Sequence, residues 1–506
     1  VFVIGANPTV NHPVAATFMK AAAKRGTKLV VIDPRRPELA EHAWRHVQHR
    51  PGTDVALLTG MLQVVIEEKL YDEAFVAART EGFAELARTV AAYPLATAAA
   101  ICGVPEDEIR LLARTYAQAR TAMIFWGMGI SQHTHGTDNA RCLVSLCLLC
   151  GQIGRRGTGL HPLRGQNNVQ GASDAGLIPM VFPDYQSVKD PAARARFERA
   201  WGVTLDPQPG LTVVELLHGA IDGRIRGMYM MGENPFLSDP NTNEVRKALS
   251  CLDFLVSQDI FLTETGEFAD VILPATSCLE KDGTYTNTDR RVQLGQKVLE
   301  PPGQARLDWE IVCEVATRMG YPMRYGSAAD IFAEMVGLAP SLAGMTYQNL
   351  AGAGRVWPAD QEVLFVERFP RGKGKLVPTS YAPDKEQPDA EYPLILITGR
   401  ILEHWHTGTM TRRSRALDAL APGPFVELAA ADAERLALHA GDLVTVRSRR
   451  GNIRLPCRVS ASVAPGSCFI PFHFREAAAN VLTIDELDPF GKIPEFKFCA
   501  VAVARA

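Results

Sequence analysis

The segment from His161 to Gly176, HPLRGQNNVQGASDAG, groups amides and glycines around one guanidinium, that of Arg164. Buried amides without partners cost about 1–3 kcal/mol each, so this composition predicts a ligand rich in hydrogen-bonding groups. Its glycines would let the backbone approach that ligand closely. A lone guanidinium among amides is typical of a site for a small anion. The alternative interpretation is a polar surface loop.

A strand, a glycine turn, a helix and a second strand followed by an acid occur twice in the chain. The first copy runs from strand Val1–Ile4 through Gly5-Ala-Asn-Pro to Asp33, and the second runs from Gly232-Glu-Asn-Pro to Asp259 at nearly the same spacing. Backbone N–H groups at such turns bind pyrophosphate, and the acid accepts from ribose hydroxyls. The repeat therefore predicts two nucleotide sites. The three-glycine NAD fingerprint is missing, and a pair of purely structural turns is the alternative.

A further glycine-rich loop, Phe125-Trp-Gly-Met-Gly129, also follows a strand and is succeeded by Gln132-His-Thr-His135. On a strand, His133 and His135 would face the same side and could share a metal ion. No third ligand lies nearby in the sequence, so we assign no metal ligands.

Three other segments suit a ligand or a turn. Lys281–Asn287 lies before two arginines and predicts a phosphate or base contact. Ile397–Gly408 is a cluster of amide, hydroxyl and imidazole groups. In Pro51-Gly-Thr-Asp54, the simplest interpretation is that Thr53 or Asp54 caps a helix.

Composition indicates a globular protein that acts on small molecules. The chain has 506 residues, of which 47% are hydrophobic, and a formal net charge of −3, which gives no electrostatic footprint for nucleic acid. We find no apolar run long enough to cross a membrane and expect a soluble protein in a reducing compartment. Cys142, Cys147 and Cys150 have the spacing of plant-type iron–sulfur ligands, but their apolar surroundings favour a buried helix. The chain opens inside a strand with no initiator Met, from which we expect a fragment of a longer protein.

The last third of the chain changes in character. Between about 337 and 391 it is rich in Gly, Pro and Ala, which predicts a linker. Beyond it, Asp442–Arg447, a hairpin at Arg449–Asn452 and Cys468–Pro471 predict short strands of a small β-barrel. We therefore expect an α/β protein with two pseudo-repeated Rossmann-like parallel-sheet domains, 1–165 and 166–336, the linker 337–391 and a C-terminal barrel, 392–506.

Taken in order, Gly-x-Asn-Pro, Asp-Pro-Arg, RGQNNVQG, Gly-Glu-Asn-Pro, QDIFLTET and the barrel resemble the molybdopterin oxidoreductases. Within them the chain is most similar to the catalytic alpha subunits of formate dehydrogenases, and the segment around Arg164 is the most specific motif. The resemblance covers nearly the whole chain. It implies a bis(molybdopterin guanine dinucleotide) cofactor with Mo or W, held by the two α/β domains and capped by the barrel.

The resemblance also implies roles for individual residues. Arg164 would bind formate beside the metal, where formate is oxidised to CO2. The residues implied to hold the cofactor are Gly5, Asn7, Asp33, Arg35, Gly52, Asp54, Gly127, Met128, Gly129, Gln132, Gly165, Gln166, Gly232, Glu233, Asn234, Gln258, Asp259, Gly283, Thr284, Asn287, Thr398, Gly399, Arg400, His406, Thr407, Asn480 and Lys497.

In the family, the metal's Cys or selenocysteine ligand and a 4Fe-4S cluster motif lie upstream of the Gly-x-Asn-Pro strand, where this chain begins. We therefore expect the 506 residues alone to be inactive, and a complete protein that is cytoplasmic and works with electron-transfer subunits, for which NAD-reducing subunits are one candidate. Two alternatives stay open. One is another molybdopterin oxidoreductase acting on nitrate or on a sulfur or arsenic compound; the other is a non-catalytic homologue of the large subunit of NADH:quinone oxidoreductase.

Overall fold

A five-stranded parallel sheet organises the N-terminal part of the chain in the computed structural model, which describes residues 1–506. The strand order is Arg45–Val47, Val30–Ile32, Phe2–Ile4, Met123–Trp126 and Gly159–Pro162, and every neighbouring pair is parallel. The second and third strands of this sheet along the chain thus lie on one side of the first strand, and the fourth and fifth lie on the other. This is the Rossmann order, in which ligands bind where the direction reverses, at the carboxyl ends of the strands.

Helices cover both faces of this sheet, which explains why the strands Phe2–Ile4 and Val30–Ile32 are apolar throughout rather than alternating. Val3, Val30 and Val31 have no exposed surface. Helix Asp54–Glu67 is buried along almost its whole length and packs in the same core. Helix Gly136–Leu149 joins them, as the apolar sequence around its cysteines predicts.

The three cysteines with iron–sulfur spacing lie on or at the end of that helix. Cys142 and Cys147 are fully buried; the Cys142 thiol lies 2.8 Å from the Thr379 hydroxyl, and the Cys147 thiol donates to the Gln152 carbonyl. Burial raises the pKa of each of these two thiols to about 12. They are hydrogen-bonded core residues, and the predicted helix is confirmed.

The second copy of the repeat forms a three-stranded parallel sheet in the order Val271–Pro274, Phe254–Asp259 and Gly227–Met231. An antiparallel sheet of Gly283–Thr286, Arg291–Gly295 and Arg355–Val356 follows it. The predicted recurrence of strand, glycine turn, helix and strand is therefore present in both copies.

The C-terminal region forms a closed barrel of six strands, as predicted. Around the barrel the order is Leu394–Gly399, Ser467–Pro471, Val426–Leu428, Asn452–Val459, Leu443–Arg447 and Cys499–Arg505. The hairpin predicted at Arg449–Asn452 joins two antiparallel strands. Alternate residues of each strand fill one apolar core, among them Leu396, Val446 and Leu455.

The remaining elements are helices and short paired strands. The α-helices are Pro8–Asn11, Pro13–Lys24, Asp54–Glu67, Glu73–Arg79, Phe83–Ala91, Leu95–Cys102, Glu106–Ala117, Met128–Ser131, Gly136–Leu149, Val169–Asp174, Pro191–Trp201, Val213–Ile221, Pro235–Ser238, Thr242–Ser250, Asp308–Arg318, Ala328–Leu338, Tyr347–Leu350, Arg415–Leu420 and Ala430–Arg435. Single 3₁₀ turns are Glu38–His42, Pro183–Tyr185, Gly266–Phe268, Pro340–Leu342, Thr411–Arg413, Arg475–Ala477 and Ala479–Val481. The short strand pairs are Thr80–Glu81 with Gly374–Lys375 and Val181–Phe182 with Gln186–Ser187.

The chain divides into two compact units. The first unit comprises Val1–Leu163, Leu237–Asn243 and Val363–Ala506, so it contains both the five-stranded sheet and the barrel. The second unit comprises Arg164–Phe236 and Glu244–Glu362. The four-part domain division expected from the sequence stays a prediction.

None of the helices combines the length and the apolar character required to cross a bilayer.

A Gly129→Ala substitution should destabilise the first unit, because an added Cβ would lie 2.7 Å from the Gly5 carbonyl oxygen, a backbone atom that cannot rotate away. Overpacking of this kind costs about 1–3 kcal/mol, so we expect a lower midpoint of thermal unfolding. Gly423→Ala is the matched control, since nothing lies within 4 Å of its added Cβ. Equal midpoints for the two variants would contradict the importance of this close approach.

Candidate cofactor-binding site

Three glycines meet at the carboxyl ends of the two central strands of the five-stranded sheet. The Gly129 N–H donates to the Gly5 carbonyl at 3.0 Å, and the Gly127 N–H donates to the Ile4 carbonyl at 3.3 Å. Gly5 has φ +55°, which favours glycine. Added Cβ atoms at Gly5, Gly127 and Gly129 would all come within 3 Å of backbone atoms of the facing loop. The sequence analysis assigned these glycines to a ligand site. The structure shows that they allow two loops of the protein itself to come into contact.

The acid of the first repeat lies at the end of the neighbouring strand. The Asp33 carboxylate accepts from the Arg35 N–H at 2.9 Å, and its desolvation raises the pKa of Asp33 to about 6. The Arg35 guanidinium pairs with Glu427 at 2.7 Å and covers the Phe469 ring. Asn7, at the start of helix Pro8–Asn11, accepts from a hydroxyl rather than from the helix backbone. This edge of the sheet is thereby tied to the barrel within the first unit.

Two cationic side chains of the barrel region, those of Lys497 and Arg400, lie close to each other, and Lys497 lies within electrostatic range of Asp33 and Arg35. Lys497 donates through Nζ to the Thr398 carbonyl at 2.8 Å, while its backbone N–H donates to the Gln132 carbonyl at 3.3 Å. Arg400 lies with its guanidinium 4.9 Å from the Trp405 ring, and its buried Nη1 has no hydrogen-bond partner. Desolvation, with the charge of Arg400 added to it, lowers the pKa of Lys497 to about 7. Desolvation also lowers the pKa of Arg400 to about 10.

Two histidines beside these cations are held neutral. Desolvation and the charges of Arg400 and Lys497 lower the pKa of His406 to about 4. Desolvation lowers that of His473 to about 3, although its Nδ1 bonds the His406 carbonyl. Among the described residues, no carboxylate forms an ion pair with Arg400 or Lys497. A bound anion would supply the acceptor that the buried Nη1 of Arg400 lacks and would favour the charged form of Lys497. These residues therefore fit the phosphate or pterin part of a dinucleotide.

Several residues implied by the resemblance already have partners inside the protein. Asn480 donates both amide protons, to the carbonyls of Leu237 and Ser238. The hydroxyls of Thr398 and Thr407 bond Phe496 and Thr409. Gly399 packs against the Phe469 ring, which an added Cβ would approach to 2.5 Å. Their part in cofactor binding stays a prediction, and each has a structural role besides.

In the second unit, the residues of the second repeat also surround strand ends. Gly232 donates to the Gln258 carbonyl at 2.9 Å, and the Asn234 side chain bonds both Glu264 and Thr265. Burial and the neighbouring Asp259 raise the pKa of Glu233.

Gln258 is fully buried and bonds Tyr229 and Asp308. Asp259 accepts from the Ile260 N–H at 2.6 Å. The second repeat thus brings its glycine, amides and acids together as the first does.

Gly283 and Thr284 lie on strand Gly283–Thr286, and Asn287 begins the turn after it. The Asn168 side chain accepts from the Thr286 N–H at 2.9 Å, which joins the segment around Arg164 to this strand. Two of the amides that predicted a ligand, Asn168 and Gln170, are therefore used inside the protein. Gly165 is half-buried and Gln166 is exposed, so neither is committed to the core.

Arg164 is half-buried and lies near a hydrogen-bonded acid, Asp174. Burial raises the pKa of Asp174, and this shift is opposed by hydrogen bonds from Gln170, Tyr185 and Trp357 and by the charge of Arg164. The bond from Gln170 is 2.7 Å long and that from the Trp357 ring is 3.0 Å. The structure thus places a hydrogen-bonded acid within electrostatic range of the guanidinium.

The loop before helix Asp54–Glu67 differs from the sequence expectation. Thr53 is the cap residue, but its hydroxyl bonds the Arg50 carbonyl, and Asp54 pairs with His49 at 3.1 Å, so neither side chain caps the helix. An added Cβ at Gly52 would lie 2.0 Å from Oδ2 of Asp384. Gly52 therefore makes room for an acid distant in sequence.

That acid belongs to a buried cluster that sequence reasoning did not find. Oδ1 of Asp384 lies 3.0 Å from Nε2 of His135, and Oε1 of Glu495 lies 2.8 Å from Nδ1 of His133. Burial alone would lower the pKa of His133, but Glu495 and Asp384 outweigh it and raise the pKa to about 9. The sequence argument against a metal site rested on the lack of a nearby third ligand, whereas folding brings Asp384 to that place. Only the His-x-His pair signalled the cluster.

Two family models match the chain. The molybdopterin oxidoreductase model matches residues 1–318, and the molydopterin dinucleotide binding domain model matches residues 394–500. The second match covers most of the barrel and includes Arg400 and Lys497.

Curated relatives match along the whole chain. The F420-dependent formate dehydrogenase subunit alpha of Methanocaldococcus jannaschii is 45% identical over 515 residues, covering 100% of this chain and 76% of the relative. Formate dehydrogenase H of Escherichia coli is 42% identical over 516 residues, covering 99% of this chain and 72% of the relative. Among solved structures, acetylene hydratase from Pelobacter acetylenicus shares the fold with a TM-score of 0.79 at 23% identity, covering 100% of this chain and 78% of that one.

With a family model matched over more than half of its length and relatives above 40% identity, the chain belongs to the molybdopterin oxidoreductases and is part of an oxidoreductase enzyme that carries a molybdopterin dinucleotide-binding domain.

Proposed function

We propose that this chain is the catalytic part of a formate dehydrogenase, which oxidises formate to CO2 with a bis(molybdopterin guanine dinucleotide) cofactor carrying Mo or W. The observation that carries the substrate is the full-length similarity to formate dehydrogenase alpha subunits, together with the half-buried Arg164 among amides. The metal and its pterins would supply the two-electron redox chemistry. The chain's own residues would bind the cofactor, position formate and exclude water.

Arg400 and Lys497 would hold an anionic part of the cofactor. Both are cations without an ion-paired carboxylate, and the buried Nη1 of Arg400 has no acceptor inside the protein. Beside them, Asp33 and Arg35 lie at a strand end where one nucleotide would bind, with the glycines at Gly5, Gly127 and Gly129 allowing close backbone approach. Met128 is 42% exposed between these glycines and would be covered by the cofactor.

The second nucleotide would use the second repeat. Burial and then the neighbouring Asp259 raise the pKa of Glu233, so a donor from ribose or guanine would stabilise these two adjacent acids. The strand Gly283–Thr286 contributes Gly283 and Thr284, and the turn after it contributes Asn287. Gly165 and Gln166, next to Arg164, would contact the pterin.

Arg164 would bind the formate carboxylate and orient its C–H bond. A charge-assisted hydrogen bond is worth about 1.5–3 kcal/mol, and a guanidinium can offer two parallel N–H groups to one carboxylate. Asp174, held by three hydrogen bonds, would keep the guanidinium in place. Electrons would leave toward a 4Fe-4S cluster and on to electron-transfer subunits.

The direct test is formate-dependent reduction of a viologen dye by the complete purified protein, with metal and guanine content measured on the same sample. We expect dye reduction with formate and no nitrate-dependent oxidation of reduced dye. A loaded protein that is inert to formate and turns over nitrate would instead support another branch of the family, and a protein without guanine would support a non-catalytic homologue.

An Arg164→Lys substitution in the complete protein should impair formate use and spare the cofactor. Lysine keeps the charge but loses the bidentate geometry, so we expect kcat/KM for formate to fall roughly 10- to 100-fold, the equivalent of one charge-assisted bond. Arg199→Lys, an exposed change in the same unit, is the control. Equal losses of activity and of bound guanine would assign Arg164 to the cofactor instead.

A Lys497→Met substitution should weaken retention of the cofactor, because it removes one of the two cations that lack an ion-paired carboxylate. Loss of one charge-assisted bond corresponds to roughly tenfold weaker binding or more. GMP released by acid hydrolysis of the purified complete protein, counted per chain, measures the effect. Lys385→Met, at an exposed position, controls for the loss of a lysine. Undiminished GMP in Lys497→Met would show that this cation binds no part of the dinucleotide.

A further inference from the structure

The cluster of His133, His135, Asp384 and Glu495 adjoins residues assigned to the cofactor, Gln132 and Gly52 among them, but its own four side chains have no part in the proposed binding of nucleotide or formate. Its four side chains are 2–8% exposed. They come from three segments far apart in sequence, all in the first unit. Two carboxylates and two imidazoles in a desolvated position are costly unless their charges and donors are matched.

Contacts within the protein do not satisfy the charges and hydrogen-bonding atoms of these four side chains. Nε2 of His135 and Oδ1 of Asp384 are 3.0 Å apart, and Nδ1 of His133 and Oε1 of Glu495 are 2.8 Å apart. Yet none of these four buried atoms makes a hydrogen bond of acceptable geometry, because the ring N–H directions miss the oxygens. Buried polar atoms that stay unsatisfied in this way destabilise the fold.

The same atoms are placed as ligands of a cation. The donor atoms of His133, His135 and Asp384 all lie within 4.8 Å of one another, and Nδ1 of His133 is 4.0 Å from Oδ1 of Asp384. Two ligands bound at about 2.0–2.1 Å to one tetrahedral ion are separated by a little more than 3 Å, so small side-chain rotations would complete the site. Glu495 lies next to His133 and offers a fourth oxygen.

The surrounding structure holds the ligands in position, as the environment of a metal site usually does. The Thr134 N–H donates to Oε2 of Glu495 at 2.6 Å and leaves Oε1 facing His133. Gly52 provides the space into which the Asp384 carboxylate packs. The two imidazole rings are parallel, with an angle of 3° between their planes and 5.2 Å between their centroids.

We propose that His133, His135 and Asp384, with Glu495 as the fourth ligand, bind a divalent cation of the zinc type. Imidazole nitrogens with carboxylate oxygens suit Zn²⁺, and a closed, buried set of four ligands is typical of a structural ion. The ion would neutralise the two carboxylates and join three separate chain segments. It is distinct from the molybdenum or tungsten of the cofactor.

The test is elemental analysis of the complete purified protein after equilibration with Zn²⁺ and removal of loosely bound metal. We expect about one zinc ion per chain in the wild type and a loss of nearly all of it in His135→Gln and Asp384→Asn. His439→Gln, at a side chain that is 83% exposed, is the matched control and should retain the zinc.

Zinc-edge X-ray absorption of the wild type gives a result that does not depend on whether the variants fold. We expect two imidazole nitrogens and two oxygens at about 2.0–2.2 Å, without sulfur. Zinc below about a tenth of an equivalent in the wild type, a sulfur-containing shell, or unchanged zinc in both folded variants would overturn the proposal. The cluster would then be a proton-sharing network of imidazoles and carboxylates.

Discussion

The first unit depends on one contact, in which two strand ends meet with only backbone between them. The hydrogen bond from Gly129 to Gly5 closes the gap at the point where the sheet reverses its direction of growth. Any side chain there would push the two loops apart. With the gap closed, Asp33 and Arg35 lie beside it, and Arg35 in turn reaches Glu427 of the barrel. The proposed cofactor site is thus built from backbone first and side chains second.

Buried charge is handled in three different ways in this protein. Arg35 and Glu427 compensate each other inside the fold. Arg400 and Lys497 have no such partner, and desolvation lowers the pKa of each, so a bound anion would favour their charged forms. The cluster around His133 contains both signs of charge but lacks the geometry to satisfy them. Excess charge at the barrel and mismatched donors at the cluster therefore point to ligands of opposite kinds, an anion and a cation.

Much of the fold could be read from the sequence, because it rests on local patterns. The two Gly-x-Asn-Pro turns mark their parallel sheets, and the alternation in residues 442–447 marks a barrel strand. What escaped prediction was set by contacts between distant residues. Nothing near His133 shows that Asp384 will lie against it, and nothing near Gly52 shows that it must leave space for that acid.

The segment around Arg164 illustrates the same limit. Its amides indicated hydrogen-bonding partners, but the sequence could not separate those that bind inside the protein from those left for a ligand. Asn168 and Gln170 turn inward, to the strand at Thr286 and to Asp174, whereas Gln166 stays exposed. Two glutamines in the same short segment thus differ in role, because Gln170 is buried in the protein and Gln166 is exposed at the surface.

The composition of the first unit has a consequence for biosynthesis. Its sheet is formed by the first 163 residues, but its barrel closes only when Cys499–Arg505 pairs with Leu394–Gly399 and Leu443–Arg447. Synthesis must therefore reach Arg505 before this unit can be completed, and by then every residue of the second unit has been made and can fold. Lys497 lies just before strand Cys499–Arg505. A ligand that needs Lys497 can be captured only after the second unit has been synthesised, so the order of the segments along the chain sets the order in which the proposed site is completed.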